Sequence, residues 1–114
     1  MSIATMEWID IGAAGDVPVR GSRVVATAGG DVAIFRTEAD EYFALRDRCP
    51  HKGGPISPGI VTGRNVTCPL HGWLIALDTG RAGGADHGCT PSIALSVEAG
   101  RILLHLPSLM ERAA

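Results

Sequence analysis

The chain has 114 residues, 46% of them hydrophobic and 19% charged, with a formal net charge of −2. That is enough for one domain with a modest core, and too apolar for a disordered chain. Arg20, Arg23, Arg46, Arg48, Lys52 and Arg64 are scattered rather than clustered, so there is no electrostatic basis for binding nucleic acid or an anionic membrane.

Residues 1–10 contain no basic region followed by an apolar one, so no secretory leader is expected. The longest stretch without Asp, Glu, Lys or Arg, residues 65–77, is too short to cross a bilayer and includes Asn65, Cys68 and His71. A soluble, cytoplasmic protein is the expectation. Fifteen glycines and seven prolines cut the chain into short segments, and no amphipathic helical stripe is sustained. The fold class that remains is all-β. Val24 and Val25, the turn-forming run Ala28-Gly29-Gly30-Asp31, and Val32-Ala33-Ile34-Phe35 predict a hairpin. Thr37 to Asp40 predicts a second turn, leading into an extended run from Glu41 to Leu45. Residues 48–72 are dense in Gly, Pro, Cys and His, which is loop rather than core chemistry. Towards the end, Ile93, Leu95 and Val97 alternate with Ala94, Ser96 and Glu98. Ala99-Gly100 then turns the chain into Ile102, Leu104 and Leu106, the clearest hairpin in the sequence.

Three cysteines, an odd number, argue against a disulfide framework. In a reducing compartment, cysteines close to histidines read instead as metal ligands. Here Cys49-Pro50-His51 is followed, after sixteen intervening residues, by Cys68-Pro69-Leu70-His71. Each half offers one thiolate and one imidazole, and together they could supply four ligands to one centre. Two thiolates stabilise ferric iron, whereas neutral imidazoles donate less charge, so a diiron site with both histidines on one iron has its potential raised above that of an all-cysteine cluster. Pro50 and Pro69 stiffen the turns, and Gly53, Gly54 and Gly72 allow backbone N–H groups to approach a sulfur closely.

The spacing C-x-H…C-x-x-H resembles that of Rieske [2Fe–2S] domains. The stretches RDRCPHKGGPISPGIV (46–61), VTCPLHGW (66–73), LDTG (77–80) and DHGCT (86–90) make the chain similar to the small subunit of cytoplasmic NAD(P)H-dependent nitrite reductase. The resemblance implies a single Rieske-type domain over residues 1–114: an antiparallel β-sandwich or barrel with a cluster-binding subdomain at about residues 47–84. It implies that Cys49 and Cys68 bind one iron and His51 and His71 the other. It further implies a large-subunit partner carrying flavin, an iron–sulfur cluster and sirohaem, which reduces nitrite to ammonium with electrons relayed through this chain. Two other roles fit the same resemblance: a free ferredoxin serving an aromatic-ring dioxygenase, and a regulatory or structural subunit.

Structural zinc is the rival occupant, since two cysteines and two histidines suit a tetrahedral site. Zinc fingers, however, usually pair Cys-x-x-Cys with His-x₃₋₅-His, and this order differs. Cys89 reads as a small buried hydrophobe and the neighbouring His87 as a loop residue. Trp73 is expected to pack beneath the second Cys/His loop, Lys52 to be solvated, and His105 to face solvent from its strand. Gly80, Gly83 and Gly84 lack the strand, helix and lysine of a phosphate loop.

Respiratory Rieske proteins carry a disulfide between their two loops and a serine hydroxyl near a cluster sulfur. Gly54 and Leu70 stand at those cysteine positions here, and Trp73 at that serine position. Without the hydroxyl donor the reduced cluster is less stabilised, so a redox titration is expected to give a midpoint near the low end of the Rieske range, about −150 mV or somewhat higher. A midpoint well above zero would contradict this.

Overall fold

The computed structural model describes residues 8–27, 30–48, 55–68, 72, 74–81 and 92–105. Among the described residues ten strands follow one another: β1 (Trp8–Ala13), β2 (Ser22–Thr27), β3 (Gly30–Arg36), β4 (Tyr42–Arg46), β5 (Ile60–Thr62), β6 (Asn65–Thr67), β7 (Leu74–Ala76), β8 (Ser92–Ile93), β9 (Leu95–Glu98) and β10 (Arg101–His105). A single 3₁₀ turn, Ala14–Asp16, separates β1 from β2. Every strand pairing among the described residues is antiparallel, which bears out the expected all-β class. No helix among them is long and apolar enough to cross a membrane.

The strands form three sheets, ordered β1-β10-β9, β2-β3-β4-β8 and β5-β6-β7. The second sheet lies between the other two. In β3, Val32 and Ile34 enter one core with Ala44, Ile93, Ile102 and Leu104, while Ala33 and Phe35 enter another with Leu45, Ile56, Val61, Val66, Cys68, Ile75 and Leu77. All four of these consecutive β3 residues are fully buried. An unbroken apolar run is the pattern expected of a strand covered on both faces. The third sheet is covered on one face only: Val61, Val66 and Ile75 point into the core, and Ile60 and Leu74 remain exposed.

The predicted β2–β3 hairpin forms, with Thr27 opposite Gly30. Gly30 and Asp31, expected in its turn, belong to β3; Ala28 and Gly29 lie outside the described residues. The turn at Thr37–Asp40 is closed by the Thr37 N–H donating to the Glu41 carbonyl (2.8 Å) and the Asp40 N–H to that of Thr37 (3.0 Å). In β1 the register shifts between Asp10 and Gly12, and Arg23 donates to the Ile11 carbonyl (2.8 Å), so the bulge leaves that acceptor satisfied.

Two expectations need correction. Residues 48–72 are not loop alone: they contain β5 and β6, and Ile56, Val61, Val66 and Cys68 are each at most 1% exposed. Their apolar runs are three residues long or less, too short to show a period. His105 does not face solvent freely. It pairs with Trp8 across β1 and β10 and is half-buried, the two rings 5.0 Å apart at their centroids.

The β9–β10 hairpin turns through Ala99 (φ 50°) and Gly100 (φ 76°), between Glu98 and Arg101. Both residues are left-handed, as a two-residue turn of this hand requires, and a Cβ disfavours that conformation. Ala99→Gly is therefore expected to raise stability by about 0.5–1 kcal/mol, read as a higher denaturant midpoint with an unchanged slope.

Candidate metal centre

The first Cys/His loop leaves the end of β4. Cys49, Pro50, His51, Lys52, Gly53 and Gly54 lie outside the described residues, but both ends of the loop are defined. Asp47 reaches across it. One carboxylate oxygen, Oδ1, accepts from the N–H groups of Ile56 (2.8 Å) and Ser57 (2.7 Å), and Oδ2 accepts from the Ser57 hydroxyl (2.8 Å). The Asp47 N–H donates to the Asp31 carbonyl in β3 (2.9 Å), and the Ser22 hydroxyl donates to the Ser57 carbonyl (2.6 Å). The loop is thus closed at its base and fastened to the second sheet on both sides.

The second Cys/His loop is the tip of the β6–β7 hairpin, where Thr67 pairs with Leu74. The Gly72 N–H donates to the Cys68 carbonyl (2.9 Å), closing a five-residue turn, and Gly72 takes a φ of 71° that favours glycine. Cys68 is 1% exposed and forms no disulfide. Pro69, Leu70, His71 and Trp73 lie outside the described residues, as do His87 and Cys89.

The roots of the two loops meet. Ile56, at the end of the first, and Cys68, at the start of the second, belong to one core. Between them Gly59 lies so close to β6 that a Cβ there would be 2.8 Å from Val66 Cγ2, 2.9 Å from the Ile56 carbonyl oxygen, and nearer still to the Thr67 carbonyl. Of the four candidate ligands, Cys68 is the one the structure places. No group of three Cys, His, Asp or Glu side chains gathers among the described residues. What is placed fits an iron–sulfur centre: an unpaired thiol shielded from water, on a closed turn, beside the clamped base of a second loop with the same donor pair.

Two arginines away from the loop tips are held by side-chain bonds of their own. Arg46 is buried on the face of β4 opposite Leu45. Its Nη1 donates to Thr27 Oγ1 (2.8 Å) and the Gly30 carbonyl (3.0 Å), and burial lowers its pKa from the ordinary guanidinium value. Arg64, in the β5–β6 turn, pairs with Glu41 ahead of β4 and holds that carboxyl below its usual range. Sequence reading missed Asp47, Ser57 and Gly59. An aspartate directly after a strand and two residues before a candidate ligand is the one local hint, because its carboxylate readily caps nearby backbone N–H groups.

The family model of the Rieske [2Fe-2S] domain matches residues 7–93. The chain belongs to the Rieske family. Its cofactor is accordingly a Rieske-type [2Fe–2S] cluster, and it is an electron-transfer domain of the oxidoreductase class. It is 41% identical over 66 residues to a 4beta-methylsterol monooxygenase of Methylococcus capsulatus, covering 58% of this chain and 18% of that protein. It is 32% identical over 87 residues to the ferredoxin component of the naphthalene 1,2-dioxygenase/salicylate 5-hydroxylase systems of a Ralstonia species, covering 76% and 78% of the two chains. A putative NADH-dependent nitrite reductase small subunit from Mycobacterium tuberculosis superposes with a TM-score of 0.76 at 27% identity, over 85% of this chain and 92% of that one. The chain spans only 13–18% of the length of the first curated relatives it matches.

Replacing Gly59 with alanine places a methyl group against backbone on two sides, which the backbone must move to accept. The expected cost is about 1–3 kcal/mol, measured by urea unfolding. Unfolding unchanged from wild type would show that the two loop roots do not depend on this approach.

Proposed function

We propose that Cys49, His51, Cys68 and His71 hold the cluster, with the cysteines on one iron and the histidines on the other. The proposed setting is a single domain whose cluster-binding part spans about residues 47–84. When bound, the cluster takes up and releases one electron at a time. The chain's own residues hold and shelter it. The core around Cys68 keeps its sulfur from water, the Gly72–Cys68 bond fixes the turn, and the Asp47 clamp fixes the other loop. The observation that carries this reading is the burial of Cys68 on a closed hairpin turn packed against the root of the first Cys/His loop.

The physiological role we propose is that of the electron-transfer small subunit of a cytoplasmic NAD(P)H nitrite reductase, not catalytic by itself. The stretches 46–61, 66–73, 77–80 and 86–90 and the likeness to the M. tuberculosis subunit support it. Its partner is then a large subunit with flavin, an iron–sulfur cluster and sirohaem, and neither nucleic acid nor a membrane takes part. A second reading, a ferredoxin serving an aromatic-ring dioxygenase, is favoured by the Ralstonia ferredoxin component, which aligns over 78% of its own length.

Anaerobic isolation of the tagged chain from its own cells separates the two. Co-purification of a sirohaem protein whose NAD(P)H-dependent nitrite reduction falls at least about tenfold when His71→Ala replaces the wild-type chain is the expected result. Recovery of an oxygenase that the reduced chain supplies with electrons would replace it with the ferredoxin reading. Equal iron and acid-labile sulfide, with nitrogen ligation in the reduced-state EPR signal, is expected in either case.

A further inference from the structure

The first Cys/His loop lies between β4, which ends at Arg46, and β5, which begins at Ile60, and the Asp47 carboxylate joins its two described ends. Its three acceptor bonds, at 2.7–2.8 Å, join residue 47 to residues 56 and 57, so the intervening stretch containing Cys49 and His51 enters and leaves at one fixed place. Through its own N–H, Asp47 is held to Asp31 in β3, and through the Ser57 carbonyl the far end is held to Ser22 in β2. Ile56 shares a core with Cys68, and Gly59 lies against both the Ile56 carbonyl and the Thr67 carbonyl next to Cys68. The carboxylate therefore lies at the junction that sets the first ligand pair relative to the second.

We infer that Asp47 is a positioning residue for the cluster: its carboxylate pre-closes the first loop so that Cys49 and His51 meet Cys68 and His71 as a formed set. Bonds to an ionised acceptor are stronger than neutral ones, and a loop closed before the metal arrives has no ordering to lose on binding. The clamp thus acts on how firmly the cluster is held and how uniformly its ligands are arranged, beyond any effect on the stability of the sheets. This rests on the ligand assignment proposed above.

The test uses the full chain, purified anaerobically, as wild type, Asp47→Ala, Asp47→Asn and Ser57→Ala. Iron release to a ferrous chelator and the reduced-state EPR line shape are recorded, with urea unfolding of the apo forms alongside. Asp47→Ala is expected to speed iron release about tenfold or more and to broaden the EPR lines, since three bonds to a charged acceptor are lost. Asp47→Asn keeps an oxygen for the Ile56 and Ser57 N–H groups and an amide facing the Ser57 hydroxyl. It should therefore restore release to within about threefold of wild type. Should Asp47→Ala fail to fold, Ser57→Ala, which removes one bond of the three, is expected to speed release about threefold.

Release at the wild-type rate with unchanged EPR lines in Asp47→Ala or, if that variant does not fold, in Ser57→Ala overturns the inference. So does a loss of apo stability that is not matched by faster release. A wild-type chain that binds zinc without sulfide would instead overturn the proposed cluster site, and the inference with it. The two failures are told apart by the metal and sulfide content of the wild type alone.

Discussion

Because both faces of β3 are buried, the sheet that carries Cys68 and the sheet built from β1, β9 and β10 are packed against the same strand. Phe35 and Ala33 on one face and Ile34 and Val32 on the other are one residue apart, and a slip of one position would exchange them between the cores. The packing of the sheet that carries Cys68 is thus tied to the register of the central hairpin. Asp47 and Ser57 extend that tie outward, fastening the first Cys/His loop to β3 and β2 through backbone and hydroxyl bonds.

The two-loop ligand set proposed above would hold a cluster only while the loops stay together. Respiratory Rieske proteins carry a disulfide for that purpose, and this chain has Gly54 and Leu70 where those cysteines stand. Noncovalent closure takes its place at the loop bases: a carboxylate clamp on one side, the Gly72–Cys68 turn on the other, and the bare backbone of Gly59 between them. Each is reversible, and each depends on its neighbours for its geometry.

Much of the fold was legible from alternation and turn residues. The β2–β3 and β9–β10 hairpins and the Thr37–Asp40 turn show clear patterns because each strand is five residues or so and ends at a strong turn former. β5, β6 and β7 did not, because three-residue strands offer no period to read and the glycines and prolines around them read as loop. The Cys/His spacing pointed to the family on its own. The supporting groups were not legible, because Asp47, Ser57 and Gly59 are polar or small and gain their meaning only once the turn between β4 and β6 has folded. His105 read as exposed from alternation alone, since the ring that covers it, Trp8, comes from the opposite end of the described chain.

The sheets also differ in how far along the chain their partners lie. β5, β6 and β7 form a meander whose strand pairings span only residues 60–76, whereas β1 must find β10, with Trp8 opposite His105. Contacts between near neighbours close small loops and form fast; contacts between distant segments wait on the closure of large ones. The hairpin that presents Cys68 can therefore take shape on its own local schedule, before the strand that joins the first and last described segments has docked. β1 covers the core that holds Ile102 and Leu104, which is a separate core from the one around Cys68.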